Sequence, residues 1–158
     1  MSSAERSARK VGVVQFRVRY SEIDRMGTFY NSRALEWFEC GRVEFLRFIG
    51  LPYDRMEAQG FFLPVIEAHV EYLGRASFDE LLEMRTTASM AGKARVRFDV
   101  HVARASQDGT PGGEVVRGYT AHAVSDAVGR PVRPPAWLAE ALGGDGARPS
   151  PAALRSSE

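Results

Sequence analysis

The chain has 158 residues, 44% hydrophobic and 10% aromatic, enough for one domain with its own core and too short for two comfortable ones. Its 21 basic and 20 acidic residues leave a formal charge of +1, so no overall field draws it to nucleic acid or a membrane surface, and any anionic ligand must be held by a local cluster. A single cysteine, Cys40, excludes an internal disulfide and a Cys-based zinc site.

Residues 1–10, MSSAERSARK, are small, polar and charged; they read as a flexible N-terminus without the apolar core of a signal peptide, which points to a cytoplasmic enzyme or binding protein. From Val11 to Tyr20 the chain alternates, with Val14, Phe16, Val18 and Tyr20 on one side and Gln15, Arg17 and Arg19 on the other. This is a strand with one wet face. The turn from Ser21 to Tyr30 carries an isolated acid, Asp24, and Gly27. It leads into a helix from about Ser32 to Ile49, roughly 27 Å long at about 1.5 Å per residue. At about 100° per residue, Ala34, Trp37, Phe38, Gly41, Phe45, Phe48 and Ile49 share one face that must be buried, opposite Arg33, Glu36, Glu44 and Arg47. Asn31 or Ser32 can cap the start, and Gly50-Leu51-Pro52 supplies the stop. The charges exclude a membrane span. Glu39 and Arg42 flank the apolar stripe one turn apart, where a border salt bridge is expected.

Beyond the helix, Tyr53 to Gln59 forms a short helical turn closed by Gly60. FFLPVIEAHVEYLG then reads as a strand interrupted early by Pro64, a residue tolerated at an edge or a strand start. LLEMRTTASMA is a further strand, and Gly92-Lys93 turns into ARVRFDVHVARA, where Val96, Phe98, Val100 and Val102 alternate with Arg95, Arg97, Asp99 and His101. SQDGTPGGE joins it to VVRGYTAHAVSD as a hairpin, PAWLAEAL closes the fold as a helix, and residues 143–158 read as a disordered tail. The expectation is an α+β domain over residues 11–142, an antiparallel sheet of about five strands curled around one long helix. Such a sheet leaves edges that a second copy can pair, so a homo-oligomer is expected.

Asp24 and the unpaired N–H groups at the start of the helix face one small space, an arrangement suited to acyl transfer. Taken alone, an Asp before a helix is a turn former. The wider pattern changes that reading. VRYSEIDRMGTFYNSRALEWFECGRVEFLRFIGLP, continued through LPVIEAHVEYLGRASFDELLEMRT and the hairpin after it, resembles the 4-hydroxybenzoyl-CoA thioesterase-like branch of the hotdog-fold acyl-CoA thioesterases over roughly residues 14 to 126. The register of Asp-x-x-Gly, an aromatic residue, and a helix bearing W-F-E and a later Arg carries the resemblance.

The resemblance implies a helix wrapped by the sheet, an active site shared across a dimer, and dimers that often pair into a homotetramer. It places the catalytic carboxylate at Asp24, as nucleophile or general base, and the backbone N–H that polarises the thioester carbonyl at Asn31. It implies substrate contacts at Gly27, Tyr30, Lys93 and Arg95, the last two for the CoA phosphates, with no metal and no cofactor. Without the resemblance, Lys93, Arg95 and Arg97 are simply the wet face of a strand. Many members read Y-H-x-N-Y across the helix start, whereas this chain reads Tyr30, Asn31, Ser32, Arg33, Ala34; it lacks the His, the Asn and the second Tyr, and the smaller Ala34 reshapes the acyl pocket.

Two alternatives stand beside acyl-CoA hydrolysis. One is a thioesterase acting on an acyl carrier protein, docked through Arg17, Arg19, Lys93 and Arg95; the other is a non-hydrolytic acyl-thioester binder. His69, His101 and His122 lie on three strands without ligand spacing, so a metal site is not expected, and any one of them can hydrogen-bond in the core. Cys40 falls on the polar side of the helix with no His beside it, and Ser32 has no partner base.

Overall fold

A computed structural model describes residues 9–110 and 112–142. The expected N-terminal segment up to residue 8 and the tail from residue 143 lie outside the described residues. The order is β1 (Gly12–Arg17), a 3-10 turn (Tyr20–Glu22), α1 (Arg33–Phe48), α2 (Tyr53–Ala58), β2 (Val65–Tyr72), β3 (Leu81–Ala91), β4 (Arg95–Arg104), β5 (Glu114–Ala123) and α3 (Ala136–Ala141).

The five strands form one antiparallel sheet in the order β1-β3-β4-β5-β2, so the first and second strands are its two edges. β2 begins immediately after Pro64, which keeps the missing N–H off the ladder. The alternation in β4 becomes packing: Val96, Phe98, Val100 and Val102 are fully buried. The opposite face of this strand is drier than the alternation implies. Asp99 is buried there, paired with Arg97 at 2.9 Å, and Arg97 lies over the Tyr119 ring.

α1 lies against the sheet through Ala34, Trp37, Phe38, Gly41 and Phe45. A Cβ on Gly41 would stand 2.7 Å from the Thr86 hydroxyl, so only hydrogen there permits the helix to come this close. The helix stops at Gly50, whose φ of 85° suits glycine, while the Leu51 N–H returns to the Leu46 carbonyl at 2.8 Å.

Three expectations for this helix need correction. Phe48 is 65% exposed and Ile49 only half-buried, because Gly12, the first residue of β1, already lies against Phe45 and the last turn overhangs the sheet. Leu46 is buried instead, in one cluster with Met56 of α2. Ser32 occupies the N-cap position with no capping hydrogen bond from its side chain, and Glu39 and Arg42 form no ion pair. Tyr20, assigned to the buried side of β1, is exposed in the turn after it and stacks edge-on with Phe78.

Candidate functional site

The turn between β1 and α1 is a small hairpin. Ile23 bridges Phe29, the Asp24 N–H donates to the Thr28 carbonyl at 2.8 Å, and the Gly27 N–H returns to the Asp24 carbonyl at 3.1 Å. Gly27 closes it at φ 77°, a conformation that side chains resist. The Asp24 Oδ1 accepts the Met26 N–H at 2.7 Å, which fixes the carboxylate, and Oδ2 has no partner among the described residues. The hairpin is held from outside by the Thr28 hydroxyl, which accepts the Ala76 N–H at 3.1 Å, and by an Arg75 hydrogen bond to the Met26 carbonyl.

Asn31 sits at the head of α1. Its carbonyl accepts the Tyr72 hydroxyl at 2.8 Å and the Ala34 N–H at 3.4 Å. Its own N–H, and that of Ser32, have no acceptor among the described residues. Tyr30 is exposed and its N–H is tied to the Glu22 carbonyl at 2.7 Å. The structure therefore brings Asp24, Gly27, Tyr30 and Asn31 to one end of the sheet, next to the C-terminal end of β2. Ala34 is fully buried beneath them, packed in the core with Phe29 and Trp37.

Glu22, not singled out in the sequence, anchors this arrangement. It is 2% exposed and accepts the Trp37 indole N–H and the Arg19 backbone N–H, each at 2.7 Å. Burial by itself disfavours its charge, but the Arg19 N–H, the Trp37 indole and the Arg19 side chain together hold the carboxyl below its usual range. The available signal was the Arg19-x-x-Glu22 spacing and a core tryptophan in need of an acceptor.

Lys93 and Arg95 are not part of this cluster. Arg17 pairs with Leu81 at one end of β3 and Arg95 with Ala91 at the other, about 33 Å apart at about 3.3 Å per residue. Both Lys93 and Arg95 are exposed at the far end. For the same reason Arg17, Arg19, Lys93 and Arg95 do not form one docking patch on a protomer. Arg17 also donates to the Asp79 carbonyl at 2.7 Å, and Arg19 serves Glu22.

A second feature lies at the far end. A recess of about 260 Å³ is lined by Glu39, Arg42, Val43, Leu46, Tyr53 and Leu63. Of the three histidines, only His122 is in the core, with Nδ1–H donating to the Leu63 carbonyl and Nε2 accepting from the Thr120 hydroxyl, each at 2.8 Å. No group of three or more His, Cys, Asp or Glu able to hold a metal occurs among the described residues. None of their helices is long and apolar enough to cross a membrane.

One long helix packed on a five-stranded antiparallel sheet, entered through a hairpin that fixes a carboxylate, is the arrangement of a hotdog protein. The chain belongs to the thioesterase-like superfamily, whose model matches residues 18–142. It is 30% identical over 89 residues to the acyl-CoA thioesterase YbgC of Haemophilus influenzae, covering 56% of this chain and 65% of that one. A crystal structure of a hypothetical protein from Thermus thermophilus is 34% identical with a TM-score of 0.73, covering 84% of this chain and 95% of the other. A 4-hydroxybenzoyl-CoA thioesterase variant solved with 4-hydroxybenzoyl-CoA, 17% identical, shares the fold at a TM-score of 0.74 over 84% of this chain and 98% of its own.

Proposed function

We propose that the protein hydrolyses acyl-CoA thioesters, with Asp24 as the catalytic carboxylate and the Asn31 N–H as the oxyanion donor. The observation that carries this reading is that Asp24 Oδ2 and the Asn31 N–H, both in the segment between β1 and α1, have no partner among the described residues. The Asn31 N–H precedes α1 and takes no part in its hydrogen bonds, and the helix end carries roughly half a positive charge, so negative charge growing on a thioester oxygen is stabilised there. In the general-base route Asp24 takes a proton from water, the water oxygen bonds the acyl carbon, and the carbon–sulfur bond then breaks to release CoA thiolate. In the nucleophilic route Asp24 itself bonds that carbon, and water cleaves the resulting anhydride.

The working unit in this reading is a dimer joined through β2. That strand is an edge of eight residues whose first five are exposed, Val65 and Ile66 among them. Antiparallel pairing of two copies sets the C-terminal end of one β2, where Tyr72 holds Asn31, beside the N-terminal end of the other. Lys93 and Arg95 of the partner copy then approach the Asp24 end, which gives them the CoA phosphate role that a single protomer denies them.

The test is CoA release from a panel of aromatic and aliphatic acyl-CoAs, read with a thiol-reactive dye, for wild type and Asp24→Asn. Loss of about 100-fold or more in kcat, with circular dichroism unchanged, is expected. Equal rates would remove Asp24 from the mechanism, and a wild type inert on every CoA ester would shift the substrate to a carrier-bound thioester or the role to binding.

A further inference from the structure

Nine arginines among the described residues (Arg17, Arg19, Arg33, Arg47, Arg75, Arg85, Arg97, Arg104 and Arg117) use their guanidinium groups on a carboxylate or carbonyl. The others lacking such a partner are exposed, with one exception. Arg42 is half-buried, and no acceptor lies within hydrogen-bonding or ion-pair distance of it among the described residues. It lines the recess whose other walls are mostly apolar. Burial pushes its guanidinium below the usual range, while the exposed Glu39 carboxylate at the rim and Tyr53 work the other way; the neutral His122 ring lies close enough to feel its charge. A half-buried guanidinium with five donors and no protein acceptor is less well hydrated than an exposed one, and a carboxylate matches its fork with two parallel bonds.

We propose that Arg42 is a specificity residue which receives the far end of the acyl group, and that this end carries a carboxylate, so that the preferred substrate is a dicarboxylic acid monothioester. The inference rests on the thioesterase reading above and on its β2 dimer. Leu63, one wall of the recess, lies two residues before the start of β2, so the same antiparallel pairing carries it toward the C-terminal end of the other copy's β2, where Tyr72 holds Asn31. The thioester carbon bound at Asn31 of one protomer thus faces the Arg42 recess of its partner, with Val43, Leu46 and Tyr53 covering the methylenes between. Within one protomer the same two points are about 16 Å apart along α1, at about 1.5 Å per residue, too far for a short acyl group.

The experiment compares kcat/KM for succinyl-, glutaryl- and adipyl-CoA with butyryl-, valeryl- and hexanoyl-CoA, in wild type, Arg42→Gln and Arg42→Lys. The expected result is a preference of about 10-fold or more for the carboxylate member of at least one pair, lost in Arg42→Gln and partly kept in Arg42→Lys, which retains the charge without the fork. Absence of a preference at all three lengths, or one that survives in Arg42→Gln, overturns the proposal. Thermal melts with free glutarate read the anion site without hydrolysis. Glutarate that raises the wild-type Tm but not that of Arg42→Gln, in a protein that cleaves no thioester, keeps the anion site and overturns the thioesterase reading alone.

Discussion

Two acids two residues apart, Glu22 and Asp24, have opposite fates. Glu22 is buried and both its oxygens are engaged, so it serves as a clamp that ties the turn to Trp37 of α1. Asp24, at the edge of the hairpin, has one oxygen without a partner among the described residues. A third titratable group, His122, is fully buried, and burial first, then the charge of Arg42, push its pKa down to about 4 against the opposing effect of the Leu63 carbonyl. Its folded value lies below the unfolded 6.5, so the unfolded chain binds the proton more readily. The contribution of His122 to stability is therefore full above about pH 6.5 and declines as pH falls toward 4, by up to about 1.4 kcal/mol per pH unit. Denaturant midpoints between pH 7.5 and 4.5 measure this. The same slope in His122→Gln would assign the acid sensitivity to other groups.

At the scale of elements, the sheet grips α1 because small residues stand where backbones meet. Gly118 lies in β5 between Val100 of β4 and Val70 of β2. A Cβ there would come within 1.9 Å of the His69 carbonyl oxygen and 3.0 Å of the Phe38 ring. The first of these neighbours is backbone and cannot swing aside, so Gly118→Ala must push β2 away from β5 or distort both. A loss of about 3 kcal/mol or more in urea unfolding is expected, at the upper end of what overpacking costs. A wild-type midpoint would mean that the edge strand slides freely, which would also weaken its case as a dimer seam.

At the scale of the whole molecule, the residues of the proposed site are divided within one protomer, Asp24 with Asn31 at one end of the sheet and Lys93 with Arg95 at the other, with Arg42 in a separate recess. The proposed dimer joins them, so assembly and activity are expected to fail together. A Val65→Asp, Ile66→Asp double variant places charges on the exposed start of β2 without touching Asp24 or Arg42. Sedimentation velocity is expected to show a monomer, folded by circular dichroism and at least about 100-fold slower on acyl-CoA. A monomer with full activity would refute the shared site.

The sequence by itself determined the element types, their order and the position of the candidate carboxylate. Those follow from local periodicity and turn chemistry: period two in β4, the apolar face of α1, Gly27 and Gly50 where the backbone needs a positive φ. Tertiary structure decided the rest. It alone shows that Phe48 overhangs the sheet, that Glu22 is buried beneath Trp37, and that Lys93 lies far from Asp24. It also sets Arg42 in the wall of a recess, without the expected ion pair to Glu39. The physical reason is range. A pattern along the chain reports which side of an element is apolar, but strand order and the ends at which loops gather are set by pairing between residues scores of positions apart.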